Sequence, residues 1–249
     1  MICLVAATPH ETRLLRQQLP LLADARLPGQ AFSCHFYNED IFLLHTGIGI
    51  ASATSSLTRL LAQLAPELLI AFGCGGSYPA SGLVNGDLAL ATSEYFGDLG
   101  TASDEGFVPL CDLWREQADD VPPLFVQQFD LQYPCLQQAA QLLLNAAELS
   151  DCKILCAPFV TVNTVSGTHE LCQDLEQRSA GICENMEGAA LAQVAQFYSV
   201  PMIELRGISN PCGTRDRAAW DLPAGMRTAQ QAVLRLLKDL PRLRELICA

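Results

Sequence analysis

Short apolar runs alternate along this chain with stretches in which apolar residues recur every three or four positions. The first pattern predicts buried strands and the second amphipathic helices. Strands are expected over 2–6, 67–72, 153–162 and 202–205, with another opening at Gly86-Asp87 and ending near Thr92. Residues 31–37 and 40–45 read as a hairpin around Asn38-Glu39. Helices are expected from 11–18 after Pro9, over 50–64, 136–149 and 169–178, and from Pro223 onward. Strands that take turns with helices predict an α/β domain. From 97 to 133 the pattern fails and Gly, Asp and Pro are frequent, so this segment reads as an excursion, a lid or an interface.

The densest chemistry lies in 184–210. Two acids, Glu184 and Glu187, flank Asn185 and Met186 and are followed by an alanine-rich helical pattern. Ser199-Val200-Pro201 breaks that helix, a buried strand follows, and polarity returns abruptly at Arg206-Gly207-Ile208-Ser209-Asn210. In an open α/β sheet, ligands bind just beyond the carboxyl ends of strands. The alternative is a helix cap and a solvated loop. Gly73-Cys74-Gly75-Gly76 follows another buried strand, where glycines either let a ligand lie against bare backbone or serve a turn. Gly47-x-Gly49 precedes a helix and is either a tight turn or an anion site; it lacks the third glycine of a dinucleotide fingerprint. Glu11 follows the first strand directly, as a functional carboxylate or as an acid favoured in a helix's first turn. Arg215-Asp216-Arg217 with Trp220-Asp221 is either a salt-bridged surface or a binding loop.

Composition narrows the classes. Half of the 249 residues are hydrophobic and 17% are charged, which suits one folded domain spanning 1–249. A net charge of −12 argues against nucleic acid, since neutralising phosphates takes clustered Lys and Arg. The eleven cysteines form no CxxC, and Cys152-x-x-x-Cys156 lacks the partners of a zinc site, so buried reduced thiols are expected and no metal. The four histidines fall in no triad or metal spacing. The opening MICLVAATP has no basic export region and reads as a strand, and no apolar run is long enough to span a membrane; a cytoplasmic location is the expectation.

Residues 7–15, Gly47-Ile48-Gly49, the Gly73 to Gly76 segment, Asn185-Met186-Glu187 and 206–210 occur in the order and spacing of the purine nucleoside phosphorylase/nucleosidase superfamily, which the chain resembles over nearly its whole length. NMEGAA, RGISN and RDRAAWDLPA, together with Asp104-Glu105-Gly106-Phe107 and Thr164-Val165-Ser166-Gly167-Thr168, look most like the futalosine hydrolase branch. Cys74 and Pro211-Cys212 depart from the pattern of related nucleosidases. The resemblance implies a three-layer α/β/α fold with a central mixed, partly barrel-like sheet. It also implies hydrolysis of a purine nucleoside by water, no cofactor, and a homo-oligomer. Glu11 would be the general base, Glu187 would hold the ribose hydroxyls with Met186 against the sugar, and Arg206 would orient these groups. Cys74, Gly75 and Val165 would line the site. Adenine nucleosidases of the family carry Asp where this chain has Asn210; an amide that both donates and accepts suits a 6-oxopurine. Futalosine carries a 3-carboxyphenyl ketone, for which Arg215 or Arg217 would bind the carboxylate and Trp220 or Phe107 would pack on the ring.

Overall fold

A computed structural model describes residues 1–27, 29–113 and 126–244. In chain order the strands are β1 Ile2–Ala6, β2 Leu22–Ala23, β3 Ala31–Phe36, β4 Glu39–His45, β5 Leu68–Ser77, β6 Leu88–Phe96, β7 Gly100–Ser103, β8 Gly106–Pro109, β9 Gln128–Asp130, β10 Ile154–Thr161, β11 Cys183–Asn185 and β12 Met202–Pro211. The helices are α1 Arg13–Gln18, α2 Ile50–Leu61, α3 Leu110–Leu113, α4 Pro134–Leu144, α5 His169–Ser179, α6 Gly188–Phe197, α7 Leu222–Lys238 and α8 Leu240–Arg244.

β1 explains the layering. Its five residues are all buried, but alternate side chains serve different cores because strand side chains point to opposite faces. Ile2, Leu4 and Ala6 join a core covered by α1, α4, α7 and α8, while Cys3 and Val5 join one covered by α2 and α6. β5 divides the same way, with Leu68, Ile70 and Phe72 on one side and Leu69 and Ala71 on the other. The result is the expected three-layer α/β/α arrangement.

The main sheet runs β2-β3-β4-β1-β5-β12-β6-β10-β11, with β9 on β6. It is mixed: β1 is parallel to β4 and β5, β12 is parallel to β5 but antiparallel to β6, and β10 is parallel to β6. β11 pairs with β10 on one side and with β5 on the other. That second pairing closes β5, β12, β6, β10 and β11 into a ring, the barrel-like part of the sheet.

Closure accounts for two departures from the pattern reading. The apolar run at 67–72 does not end at the glycines; β5 continues through Ser77, because Gly75 and Gly76 are paired with Ile208 and Asn210 of β12, and Gly76 also with Glu184 of β11. β12 likewise runs ten residues and keeps Arg206 through Asn210 within the ladder. The hairpin turn sits one residue earlier than expected, on Tyr37 and Asn38 at φ 48° and 63°, the left-handed pair that tight hairpins use. Within 97–133, β7 and β8 form a separate hairpin and β9 adds to the main sheet, while residues 114–125 lie outside the described residues.

Candidate active site

The mouth of the closed ring opens into a cavity of about 640 Å³. Glu11 reaches it from a single 3-10 turn, Pro9–Thr12, immediately after β1. Its Oε2 accepts from the Thr8 backbone N–H (2.9 Å) and the Thr8 hydroxyl (3.0 Å), and its Oε1 accepts from the Cys74 N–H (3.1 Å). The carboxylate caps the turn, and it also faces the cavity. Burial pushes the Glu11 carboxyl above its ordinary value, opposed by Arg206 and the Cys74 N–H. The glycines of β5 serve this arrangement. A Cβ on Gly73 would strike Glu11 Oε1 and come within 3.0 Å of Arg206 Nη1, and one on Gly76 would lie 2.7 Å from Cys212 Sγ. What lies against the bare backbone at Gly73 is the protein's own carboxylate.

Glu187 ends its strand-to-helix connection just before α6. Its Oε1 accepts from the Gly49 N–H at 2.9 Å, at the start of α2. Gly47 and Gly49 have φ of 82° and 90°, so GxG is a left-handed turn, and the anion at the positive end of α2 is Glu187 itself. Its Oε2 lies 3.4 Å from Arg206 Nη1. Arg206 is buried on β12; Nε donates to Glu204 Oε1 at 2.9 Å, Nη2 forms an ion pair with the same oxygen at 2.9 Å, and Nη1 donates to the Cys74 carbonyl at 3.3 Å. Burial pulls the Arg206 guanidinium down, but Glu204, Glu187 and Glu11 outweigh it and the net shift is upward. The Cys74 thiol is pushed up to about 12 by burial and then by Glu11, which leaves it un-ionised and unsuited to nucleophilic attack.

Asn210 is half-buried at the end of β12. Ser209 Oγ donates to its Oδ1 (2.9 Å) and its Nδ2 donates to the Pro211 carbonyl (3.1 Å). One N–H and one lone pair of the amide are thereby left for a ligand. Glu184, also lining the cavity, accepts from the Ser166 N–H (3.0 Å) and the Tyr78 hydroxyl (3.1 Å), and burial raises its carboxyl. Arg215 places its guanidinium 4.7 Å from the Trp220 ring centre, and both line the cavity.

The structure brings Glu11, Cys74, Gly75, Val165, Met186, Glu187, Arg206, Asn210, Arg215 and Trp220 to one cavity. Phe107 and Arg217 are not among its lining residues. Phe107 sits on the β7–β8 hairpin beneath the Arg178 guanidinium (4.2 Å), and Arg217 is exposed at the start of the short turn Arg217–Ala219. The pattern reading missed Thr8, Ser166 and Ser209 on the lining, and two buried acids behind it, Glu94 and Glu204. A signal was present for Glu204, a charged residue inside a run otherwise apolar enough to be a buried strand, whereas Glu94 follows Thr92-Ser93, beyond the expected end of its strand.

A family model described as the phosphorylase superfamily matches residues 1–241. A futalosine hydrolase of Streptomyces coelicolor is 32% identical over 200 residues, covering 78% of this chain and 77% of the relative. A 5'-methylthioadenosine/S-adenosylhomocysteine nucleosidase of Tolumonas auensis is 24% identical over 253 residues, covering 96% and 99%. Among solved structures, a futalosine hydrolase mutant of Helicobacter pylori superposes with a TM-score of 0.79 at 18% identity, over 96% of this chain and 98% of that one.

Proposed function

The chain belongs to the phosphorylase superfamily and is an N-glycosyl hydrolase of the nucleosidase type, and we propose that its substrate is futalosine, cleaved to hypoxanthine and dehypoxanthine futalosine on a menaquinone route. The observation that carries the choice of base is Asn210, whose amide keeps one donor and one acceptor unspent beside Gly76. The free N–H suits the 6-oxygen of hypoxanthine, and the free lone pair suits N7–H. Because N7 gains its proton only as the base departs, the second bond favours the transition state over the ground state.

In this reading Glu11 takes a proton from water as the water oxygen bonds to C1′ and the bond from C1′ to N9 breaks. The electron pair of that bond leaves with the purine, whose N7 takes a proton from solvent, so neutral hypoxanthine departs and Glu11 returns the water's proton to solvent. Glu187 accepts from the ribose hydroxyls, and its charge and that of Glu11 favour the positive charge developing on the sugar. Water rather than phosphate is the fitting nucleophile. The positive end of α2 is already occupied by Glu187, and the first loop presents a carboxylate that would repel phosphate.

The test is incubation with futalosine, inosine and methylthioadenosine, with and without phosphate, followed by chromatography of the free base. Hypoxanthine from futalosine without phosphate is the expected result; adenine release, or a strict phosphate requirement, would overturn it. The Arg215–Trp220 pair fits the anionic aromatic tail, the guanidinium for the carboxylate and the indole for the ring. Arg215→Ala is expected to raise KM for futalosine about 10- to 100-fold, the loss of one hydrogen bond to a charged group, while inosine is little affected. Arg217→Ala, outside the cavity, should leave the futalosine-to-inosine ratio of kcat/KM unchanged. Cytoplasmic location and homo-oligomeric assembly accompany this reading; among the described residues no helix is long and apolar enough to cross a membrane.

A further inference from the structure

Behind Arg206 lie two carboxyls that the hydrolytic scheme does not use. Glu94 of β6 and Glu204 of β12 are both fully buried and meet over Gly188, where a Cβ would strike Glu94 Oε1 and lie 2.6 Å from Glu204 Oε1. Glu204 gives one oxygen to Arg206. Glu94 accepts from Asn185 Nδ2 at 2.6 Å and from the Thr161 hydroxyl at 2.7 Å. The Asn185 carbonyl in turn accepts from the N–H groups of Glu187 (3.0 Å) and Gly188 (2.7 Å) at the start of α6. With both carboxyls ionised, Glu204 Oε2 would be a buried acceptor without a donor. A second buried negative charge beside it would also have no cation of its own, because Arg206 is already shared by Glu204, Glu187 and Glu11.

We propose that Glu94 and Glu204 hold one proton between them, Glu94 as the neutral acid donating to ionised Glu204, and that this pair is the positioning element for Arg206 and Glu187. The proton gives the Glu204 carboxylate, one of whose oxygens has no donor, a donor besides Arg206. It leaves one carboxylate for the guanidinium and a neutral group facing Asn185, whose orientation fixes the Glu187 backbone. The pair thus reaches Glu187 by two routes, through Arg206 to its side chain and through Asn185 to its N–H. The groups facing the pair are consistent with this division. They are Arg206 and Glu187, Cys183 of β11 and the Thr161 hydroxyl of β10, and burial followed by Glu204 pushes Glu94 well above the usual carboxylate range.

The role rests on the hydrolase activity but not on which nucleoside is cleaved. The test compares Glu94→Ala, Glu94→Gln and Glu204→Gln on whichever nucleoside the wild type hydrolyses, with infrared difference spectra of the protonated-carboxyl C=O stretch. Glu94→Ala is expected to lower kcat on the order of tenfold, the cost of an unsatisfied buried group. Glu94→Gln should restore most of that loss, because its amide donates to Glu204 and accepts from Asn185, while Thr161 Oγ has Asn185 Oδ1 as an alternative acceptor at 3.0 Å. Glu204→Gln removes the charge that holds the guanidinium and is expected to lower kcat on the order of 100-fold, with KM moving much less. The infrared band of one protonated carboxyl should be lost in Glu94→Gln. Equal losses in the two Gln variants, or a spectrum unchanged by Glu94→Gln, would overturn the proposal. If Glu204→Gln does not fold, the Glu94 series and the spectra still decide the shared proton. If the wild type cleaves no nucleoside, the substrate reading fails, and the spectra, which need no substrate, still test the pair.

Discussion

Glu11→Gln is expected to lower kcat by about 10²- to 10⁴-fold, the range for loss of a positioned general base, with KM within a few-fold of wild type. The substitution keeps the shape and removes the charge. Gln retains one oxygen for the Thr8 donors or for the Cys74 N–H, so the 3-10 turn and the floor of the cavity should persist. What is lost is the group proposed to take the proton from water. Steady-state kinetics on the cleaved nucleoside, alongside thermal unfolding, separates this from misfolding; a variant with wild-type kcat would move the base elsewhere. The raised Glu11 carboxyl also sets a pH dependence. The base works only when ionised, so the acid limb of kcat/KM should lie above the ordinary carboxylate range and activity should fall as pH drops through it. Stability has the opposite sign. A carboxyl raised in the folded state binds its proton more tightly folded than unfolded, so its contribution is full below the unfolded value and is lost as pH rises through the folded one. At pH above that window Glu11→Gln should therefore unfold at a temperature no lower than wild type, activity being gained here at some cost in stability.

The fold was readable where hydrophobic period alone decides it. β1, β10, α5 and α7 begin within one residue of where the apolar pattern puts them. β5 and β12 were read short for a physical reason: polarity at Arg206 and bare backbone at Gly73 to Gly76 imitate a loop, but ring closure keeps both segments in the ladder and turns their polar side chains into the cavity. Register across that closure is non-local and leaves no mark in sequence spacing. The same limit separates Arg215 from Arg217. The two are two residues apart in one loop, and only the packing of Arg215 on Trp220 selects between them. Phe107, expected from the resemblance of Asp104-Glu105-Gly106-Phe107 to pack on the ring of the tail, is carried by a pair of short strands to Arg178. Glu204 shows the reverse case, a charge inside an apolar run that a periodicity reading absorbs as strand, although a buried charge always requires a partner.

Asn210→Asp is the sharper substitution, because it changes one atom at the point proposed to read the base. The Pro211 carbonyl, which can only accept, fixes which end of the amide is which: it accepts from Nδ2, leaving Oδ1 toward the Ser209 hydroxyl, which also has the Gly75 carbonyl in reach. The remaining Nδ2 proton is the one proposed for the 6-oxygen of hypoxanthine. Aspartate replaces that donor with a lone pair facing another lone pair. Leaving the 6-oxygen unsatisfied costs about 1–3 kcal/mol, so kcat/KM for hypoxanthine release should fall about 10- to 100-fold. A 6-aminopurine offers an N–H there instead, and a protonated aspartate could donate to its N7, so the ratio of adenine to hypoxanthine release should rise by more than the hypoxanthine loss alone. Asn210→Ala separates the two contacts. It removes the acceptor for N7–H as well, so it should depress kcat further than Asp does without improving adenine release. Base release from futalosine and aminodeoxyfutalosine, quantified for the three forms at one pH, reads all of this in one series. Unchanged futalosine turnover in Asn210→Asp would place base recognition elsewhere on the ring mouth. Glu184, across Gly76 from Asn210 in the ladder and lining the same cavity, would then be the next side chain to replace.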